Sequence, residues 1–293
     1  MVWVCIGNAI RGNVSRKARY RAAVISRTRT TRMSDSSTLA RLKAQCSVIY
    51  ALGIYLPCSN LARSARARSR ALRGKPNRHQ QATQLPEAPW HRLLPSRPAV
   101  LVEAAKANGN VRVSELAVLA KAAAAVPPGR EIIEIGTFDG RTTLNLAINS
   151  VPSNPVFTLD LPPELATKFA LDQGERKFVE KPVPGERYRR CGPPWKEATG
   201  KITQLLGDSG SFDWSAHFGK AGLVFVDGSH AYDYAKHDTE MAFRLVAPDG
   251  VVIWHDYGVW QGVTRALEEL ERERQLGLRQ VRGTSLVFWR RPA

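Results

Sequence analysis

From residue 113 onward the apolar and polar positions alternate between a helical and a strand period. Residues 113–126 (VSELAVLAKAAAAV) carry strong helix formers, with Ser114 as candidate N-cap and Pro127-Pro128 as the stop. Residues 131–135 (EIIEI) predict a short strand, a glycine-containing turn follows, and 142–148 return to helical spacing. Residues 156–161 (VFTLDL) and 201–206 (KITQLL) predict a second and a third strand. Residues 223–226 (LVFV) predict a fourth, apolar throughout as buried parallel strands are. A helix over 232–247 closes at Pro248-Asp249-Gly250, and 251–254 (VVIW) make a fifth strand. A charged-faced helix over 262–275 and a last strand over 285–289 (SLVFW) complete the series. Strand and helix in alternation predict an open, doubly wound α/β sheet, whose ligands sit beyond the carboxyl ends of the strands.

The first eighty residues show no such period, and charge separates them further. The chain has 293 residues and a net charge of +17, of which residues 1–80 carry +16, with Asp35 as their sole acid. The remainder is electrically ordinary, so the basic balance does not make the alternating half a nucleic-acid binder. An Arg- and Ser-rich segment without a core predicts a disordered basic extension over 1–85. Its composition also fits a targeting sequence. With a start at Met33, Arg41 and Lys43 would precede the apolar run 46–58, and Ala62 and Ala65 would follow it, as in a secretory signal. A polybasic nucleic-acid tail is the third reading, although no aromatics interleave with Arg63–Arg73. The 13-residue run 46–58 (CSVIYALGIYLPC) is too short to span a membrane, which takes about 20 residues. Pro86, Pro89, Pro95 and Pro98 mark a linker, which places a catalytic domain at 86–293. Cys5, Cys46, Cys58 and Cys191 form no C-x-x-C pair, so neither a disulfide framework nor a zinc site is indicated, and a reducing, cytoplasmic setting is expected.

Residues just after each strand supply the candidate chemistry. The turn Gly136-Thr137-Phe138-Asp139-Gly140 frees a helix N-terminus and lets a ligand approach the backbone. Asp160, 20 residues beyond Gly140, ends the second strand where an acid can accept both hydroxyls of a ribose. Phe138 stands where a dinucleotide fingerprint needs bare backbone, and no Gly-Lys-Ser/Thr follows, so a phosphate-free nucleoside fits better than NAD or a nucleoside triphosphate.

With EIGTFDGRT, TLDL, LLGDSGSFD, LVFVDGSHAY and VAPDGVVIWHDYG in this order, the chain resembles the class I S-adenosylmethionine-dependent methyltransferases. Within them it is similar to the small O-methyltransferase-like branch called methyltransferase family 24. The resemblance spans roughly residues 100–291 and implies a Rossmann-like, mostly parallel sheet with an antiparallel last strand. It implies S-adenosyl-L-methionine as cofactor, with Glu134, Gly136, Thr137 and Gly140 on its methionine and ribose side, Asp160 on the ribose and Asp208 on the adenine. Asp208 reads equally as a turn former before Ser209-Gly210.

In relatives that methylate sugars or catechols, positions corresponding to Asp227, His255 and Asp256 bind a divalent metal, usually magnesium. The resemblance therefore implies a metal set of Asp227, His255 and Asp256, with the imidazole tilting it from magnesium towards manganese or iron. His230 matches a general base of some sugar O-methyltransferases, and an imidazole near its ordinary pKa can take a hydroxyl proton. His230 is preferred to His255 as base, and Asp227 flanks the acceptor. His217 and His237 read as solvated. The basic segment 174–201, with Arg176, Lys177, Arg187, Arg189, Arg190 and Lys196, reads as a solvated loop or as the cover of an anionic or glycosylated substrate.

The expected activity is O-methylation of a small molecule or sugar, with a small-molecule acceptor as partner, no nucleic acid required, no transmembrane segment, and a homo-oligomer left open. The alternatives are an NAD-type oxidoreductase on a related sheet and a non-catalytic binding protein anchored by the basic tail.

Overall fold

In the computed structural model, which describes residues 35–73, 83–104, 111–180 and 183–293, an eight-stranded sheet carries the alternating half. Its strands are β1 (Glu87–Ala88), β2 (Glu131–Ile135), β3 (Val156–Asp160), β4 (Ile202–Leu206), β5 (Ala221–Val226), β6 (Val246–Trp254), β7 (Arg279–Val281) and β8 (Val287–Arg290). They lie in the order β1-β7-β8-β6-β5-β2-β3-β4. Strand β8 runs antiparallel to both β6 and β7, and the other neighbours are parallel. The Rossmann-like, mostly parallel sheet with an antiparallel last strand is therefore present, with the short β1 and β7 added at one edge. The strand order reverses between β2 and β5, and the loops leaving those two strands face each other there, where such sheets place their ligands.

Helices α1 (Asp35–Ile49), α2 (Leu56–Leu72), α3 (Trp90–Leu93), α4 (Val113–Ala125), α5 (Arg141–Asn149), α6 (Arg176–Val179), α7 (Glu186–Arg189), α8 (Tyr232–Leu245) and α9 (Gln261–Arg274) accompany the sheet. Two-residue periodicity splits each central strand between two apolar layers. Ile132, Phe225 and Ile253 pack with Leu116 and Leu119 of α4 on one face. Ile133, Val224 and Val252 pack with Leu245 of α8 and Leu267 of α9 on the other. Strand β5 is buried along its whole length, as its unbroken apolar run predicts. Helix α4 starts two residues earlier than Ser114 as N-cap would require, with Arg112 in that place. Glu115 reaches back to accept the Arg112 backbone N–H at 2.8 Å, and Ser114 is buried inside the helix.

The structure corrects the expected disorder of residues 1–85 over the part it describes. Residues 35–72 are helical, α1 passing through a π-helical segment at Tyr50–Tyr55 into α2. Ala44, Val48, Ala51, Leu52 and Leu56 are buried, and the last four join the layer around α4. The Leu101 N–H donates to the Ala44 carbonyl at 2.9 Å, and Arg63 donates to the Gly283 carbonyl. Residues 44, 48, 51 and 52 recur at helical spacing, so the run 46–58 is a core-facing helix segment whose apolar stripe offsets the ordering cost. Residues 1–34 and 74–82, on which the targeting and tail readings also rest, lie outside the described residues. Among the described residues no helix is long and apolar enough to cross a membrane.

Candidate functional site

The loop after β2 is held against the loop after β5 by the absence of a side chain at Gly136. Its φ is +101°, and a Cβ there would stand 2.0 Å from the Asp227 carbonyl oxygen. Gly140, also left-handed at φ +81°, is the N-cap of α5, and a Cβ on it would meet the Gly185 Cα at 2.7 Å. Thr137 Oγ1 lies 2.6 Å from Thr158 Oγ1 and accepts from Gln204 Nε2 at 2.9 Å. Asp139 accepts the Arg141 N–H at 3.0 Å and Arg187 Nε at 2.7 Å. The Arg141 guanidinium donates to the carbonyls of Glu103, Ala104 and Val111.

Glu134 is wholly buried within β2. Its Oε2 accepts from the Thr143 hydroxyl and, at 2.6 Å, from the Thr158 hydroxyl, while Oε1 has no hydrogen-bond partner. Burial, reinforced by Asp227 and Asp160 and opposed by the two threonines, pushes its carboxyl up to about 8. The native state thus binds a proton that the unfolded chain releases above 4.5. That stabilising contribution is full below the unfolded value and is lost as pH rises through about 8. The thermal midpoint of the ligand-free wild type is therefore expected to fall with rising pH relative to Glu134→Gln. Thermal melts across this range that run parallel for the two proteins would contradict the assignment.

A cavity of about 260 Å³ opens above this layer, at the ends of β2, β3, β4, β5 and β6. Gly136, Thr137, Asp160 and Asp208 line one part of it, and Asp227, His230 and Asp256 another. Glu134 sits below the lining, and Gly140 sets the start of α5 rather than lining the cavity. Asp160 is buried at the end of β3, its Oδ1 accepting the Leu161 N–H at 3.0 Å. Asp208 accepts from the Tyr234 hydroxyl at 2.6 Å, from the Lys168 N–H at 2.8 Å and from the Gly210 N–H at 3.2 Å. Asp208 thus shapes its own turn and also lines the cavity.

Both histidines stand against the acids that follow β5 and β6. His255 is buried, with Nδ1 2.9 Å from Asp227 Oδ1 and Nε2 3.3 Å from Glu115 Oε2, so both ring nitrogens are engaged by carboxylates. Glu115 in turn accepts from the Ser285 N–H at 2.8 Å and the Ser285 hydroxyl at 2.9 Å. Burial opposes charge on His255, but Asp227 and Asp256 outweigh it and hold the ring protonated. His255 Nδ1 also lies 3.3 Å from Asp256 Oδ2, so the ring stands against both acids of the expected metal set of Asp227, His255 and Asp256. Among the described residues, donors of Asp227, His230 and Asp256 also converge, within 4.8 Å of one another.

His230 places Nε2 2.7 Å from Asp256 Oδ2 and Nδ1 2.5 Å from Glu175 Oε1. Its ring stacks on Trp260 at 4.5 Å between centroids and 15° between planes. Burial would lower its pKa, but the hydrogen bonds to Asp256 and Glu175 raise it to about 9, well above the ordinary value on which the base reading relied. Burial likewise opposes charge on Asp256, yet His255 and His230 hold its carboxyl below the usual range. Asp256 also takes a left-handed φ of +64°, an unfavourable conformation for a residue with a side chain.

Glu175, Phe178 and Val179 of the segment 174–201 line the cavity, whereas none of its six singled-out basic residues does. Arg187 pairs with Asp139 and Glu103, and Arg190 with Glu186. His217 bonds Glu131 at 2.8 Å and His237 lies beside Asp238, both away from the cavity. The sequence reading missed Glu115, Glu175, Tyr234 and Trp260. A buried role for Glu115 was signalled by its position inside an apolar helix; Glu175 carries no local signal.

Residues 133–257 match the family described as a methyltransferase domain, Methyltransf_24, a stretch that contains every motif from EIGTFDGRT to VVIWHDY. None of the curated proteins compared matches the chain. Similar solved structures include the O-methyltransferase NovP, at 16% identity over 62% of this chain and 81% of that one with a TM-score of 0.45. Another is the O-methyltransferase TomG from Streptomyces achromogenes, involved in tomaymycin synthesis and solved with SAM, at 20% identity, 62% and 81% coverage and a TM-score of 0.42. The SAH-bound methyltransferase PaMTH1 from Podospora anserina is similar at 14% identity, 62% and 79% coverage and a TM-score of 0.45.

Proposed function

We propose that this chain, whose residues 133–257 form an S-adenosylmethionine-dependent methyltransferase domain of this family, methylates a hydroxyl group of a small molecule or sugar. The observation that carries the reading is the joining, in one cavity, of a nucleoside-type half at Gly136, Asp160 and Asp208 with an acid–imidazole half at Asp227, His230 and Asp256. The residues present fit the cofactor. Asp160 and Asp208 offer acceptors for ribose hydroxyls and an adenine amino group. Arg141, the one Lys or Arg among the described residues that lines the cavity, is turned to three backbone carbonyls, so no Lys or Arg of the lining is left for a pyrophosphate. This favours a cationic, phosphate-free nucleoside over NAD. When bound, S-adenosylmethionine supplies an electrophilic methyl group on a sulfonium.

The chain's own residues then orient the acceptor and manage its proton. Transfer is an in-line displacement, so holding the acceptor hydroxyl against the methyl group contributes much of the rate. Asp227 and Asp256 are acceptors for that hydroxyl, and His230 Nε2 takes its proton in the neutral form of the imidazole, which a pKa of about 9 makes the major form only at alkaline pH. Asp227, His230 and Asp256 would also hold a divalent cation, and their imidazole favours manganese or iron over magnesium. Such an ion would lower the pKa of the acceptor hydroxyl.

The test incubates the full chain with methyl-labelled S-adenosylmethionine and a panel of catechols, phenols and sugars, each with and without EDTA. Label on an acceptor oxygen, reduced at least about 100-fold in Asp227→Ala, is expected. A protein that binds S-adenosylhomocysteine but labels no hydroxyl compound would overturn the O-methylation reading. Undiminished transfer in EDTA would remove the metal from it.

A further inference from the structure

The excursion between β3 and β4 contributes one buried acid to the site, and nothing in the methyl-transfer reading yet uses it. Glu175 is 3% exposed although it lies in a loop region. A carboxylate is rarely buried this far unless several donors replace its water. Here four do. Oε2 accepts the Asp172 N–H at 2.6 Å and the Ser229 hydroxyl at 2.9 Å. Oε1 accepts the His230 N–H and, at 2.5 Å, His230 Nδ1. Glu175 precedes α6, but its side chain makes no capping bond to that helix. The carboxylate is directed at the His230 loop, not at its own element.

We propose that Glu175 is the positioning residue of the site, fixing His230 with Nδ1 as donor and Nε2 turned towards Asp256. An ionised carboxylate only accepts, so the nitrogen facing it must carry the proton. In the charged ring Nε2 donates to Asp256, and with Nδ1 held by Glu175 it is Nε2 that gives up its proton when the ring becomes neutral, so Nε2 is the working atom for either task open to His230, proton acceptance or metal ligation. Trp260 fixes the ring plane by stacking, and Glu175 fixes rotation within that plane. The same residue ties the excursion to the loop after β5. Phe178, three residues on, lines the cavity and meets Phe138 edge-on at 5.9 Å and His230 at 6.2 Å. Closure of this wall and orientation of the imidazole thus depend on one carboxylate.

The inference rests on His230 being a working member of the methyl-transfer site, and its test is independent of cofactor and acceptor. In proton NMR of the full-length, ligand-free chain, a downfield, exchange-protected imidazole proton is expected, assigned to His230 by its loss in His230→Ala. Glu175→Ala should abolish it. Glu175→Gln, which keeps an acceptor of similar shape without the charge, should retain it shifted upfield. A His230 resonance unmoved in Glu175→Gln, or absent from the wild type, would overturn the assignment. Calorimetry with S-adenosylhomocysteine on the wild type and the same three variants separates the two claims: a wild type that shows the His230 proton but does not bind this nucleoside sinks the cofactor reading and leaves the Glu175 geometry standing.

Discussion

Asp160→Ala is expected to weaken S-adenosylhomocysteine binding at least about 100-fold, because it removes the acceptor for two ribose hydroxyls. Hydrogen bonds to a charged acceptor contribute roughly 1.5–3 kcal/mol each, and about 1.4 kcal/mol is tenfold in affinity. The carboxylate is placed for this by the end of β3, beside the switch point and on the cavity lining. Asp160→Asn retains an acceptor and should lose less. Isothermal titration of the two variants makes the comparison, and equal affinity for Asp160→Ala and wild type would remove Asp160 from the ribose.

The second large effect is on the fold at the same place. Gly136→Ala would put a methyl group 2.0 Å from the Asp227 carbonyl oxygen and 2.6 Å from its carbon, both backbone atoms, at a φ of +101°. The two loops that form the cavity must separate to admit it. A loss of roughly 3 kcal/mol or more follows from combining overpacking with backbone strain. Gly53→Ala is the control, since a Cβ there meets nothing within 4 Å in an exposed helical segment. It should be neutral or stabilising by up to about 1 kcal/mol. Denaturant unfolding of both variants distinguishes a clash at the switch point from a general intolerance of substituted glycine.

Much of the sheet was legible because its strands are short, apolar and bounded by turn residues. LVFV and VVIW became buried sections of neighbouring parallel strands, and the residues after them supplied Asp227 and Asp256. Strands β1 and β7, two and three residues long, carry too little pattern to be read. The helical stripe at 44, 48, 51 and 52 was present in the sequence, but the local absence of acids dominated the reading of that segment. Chain order placed His230 and His255 beside the right acids without telling which would face the cavity. Their partners Glu175 and Glu115 stand 55 and 140 residues away. Such pairings arise from tertiary packing, so the raised pKa of His230 and the carboxylates around His255 became visible only in three dimensions.

The central claim is that the cavity at the switch point takes a phosphate-free sulfonium nucleoside. Titrating the full-length chain separately with S-adenosylhomocysteine and with NAD tests it most directly. Saturable binding of S-adenosylhomocysteine at one site per chain, with no binding of NAD, is the predicted result; a folded chain that binds NAD and leaves S-adenosylhomocysteine unbound would contradict it.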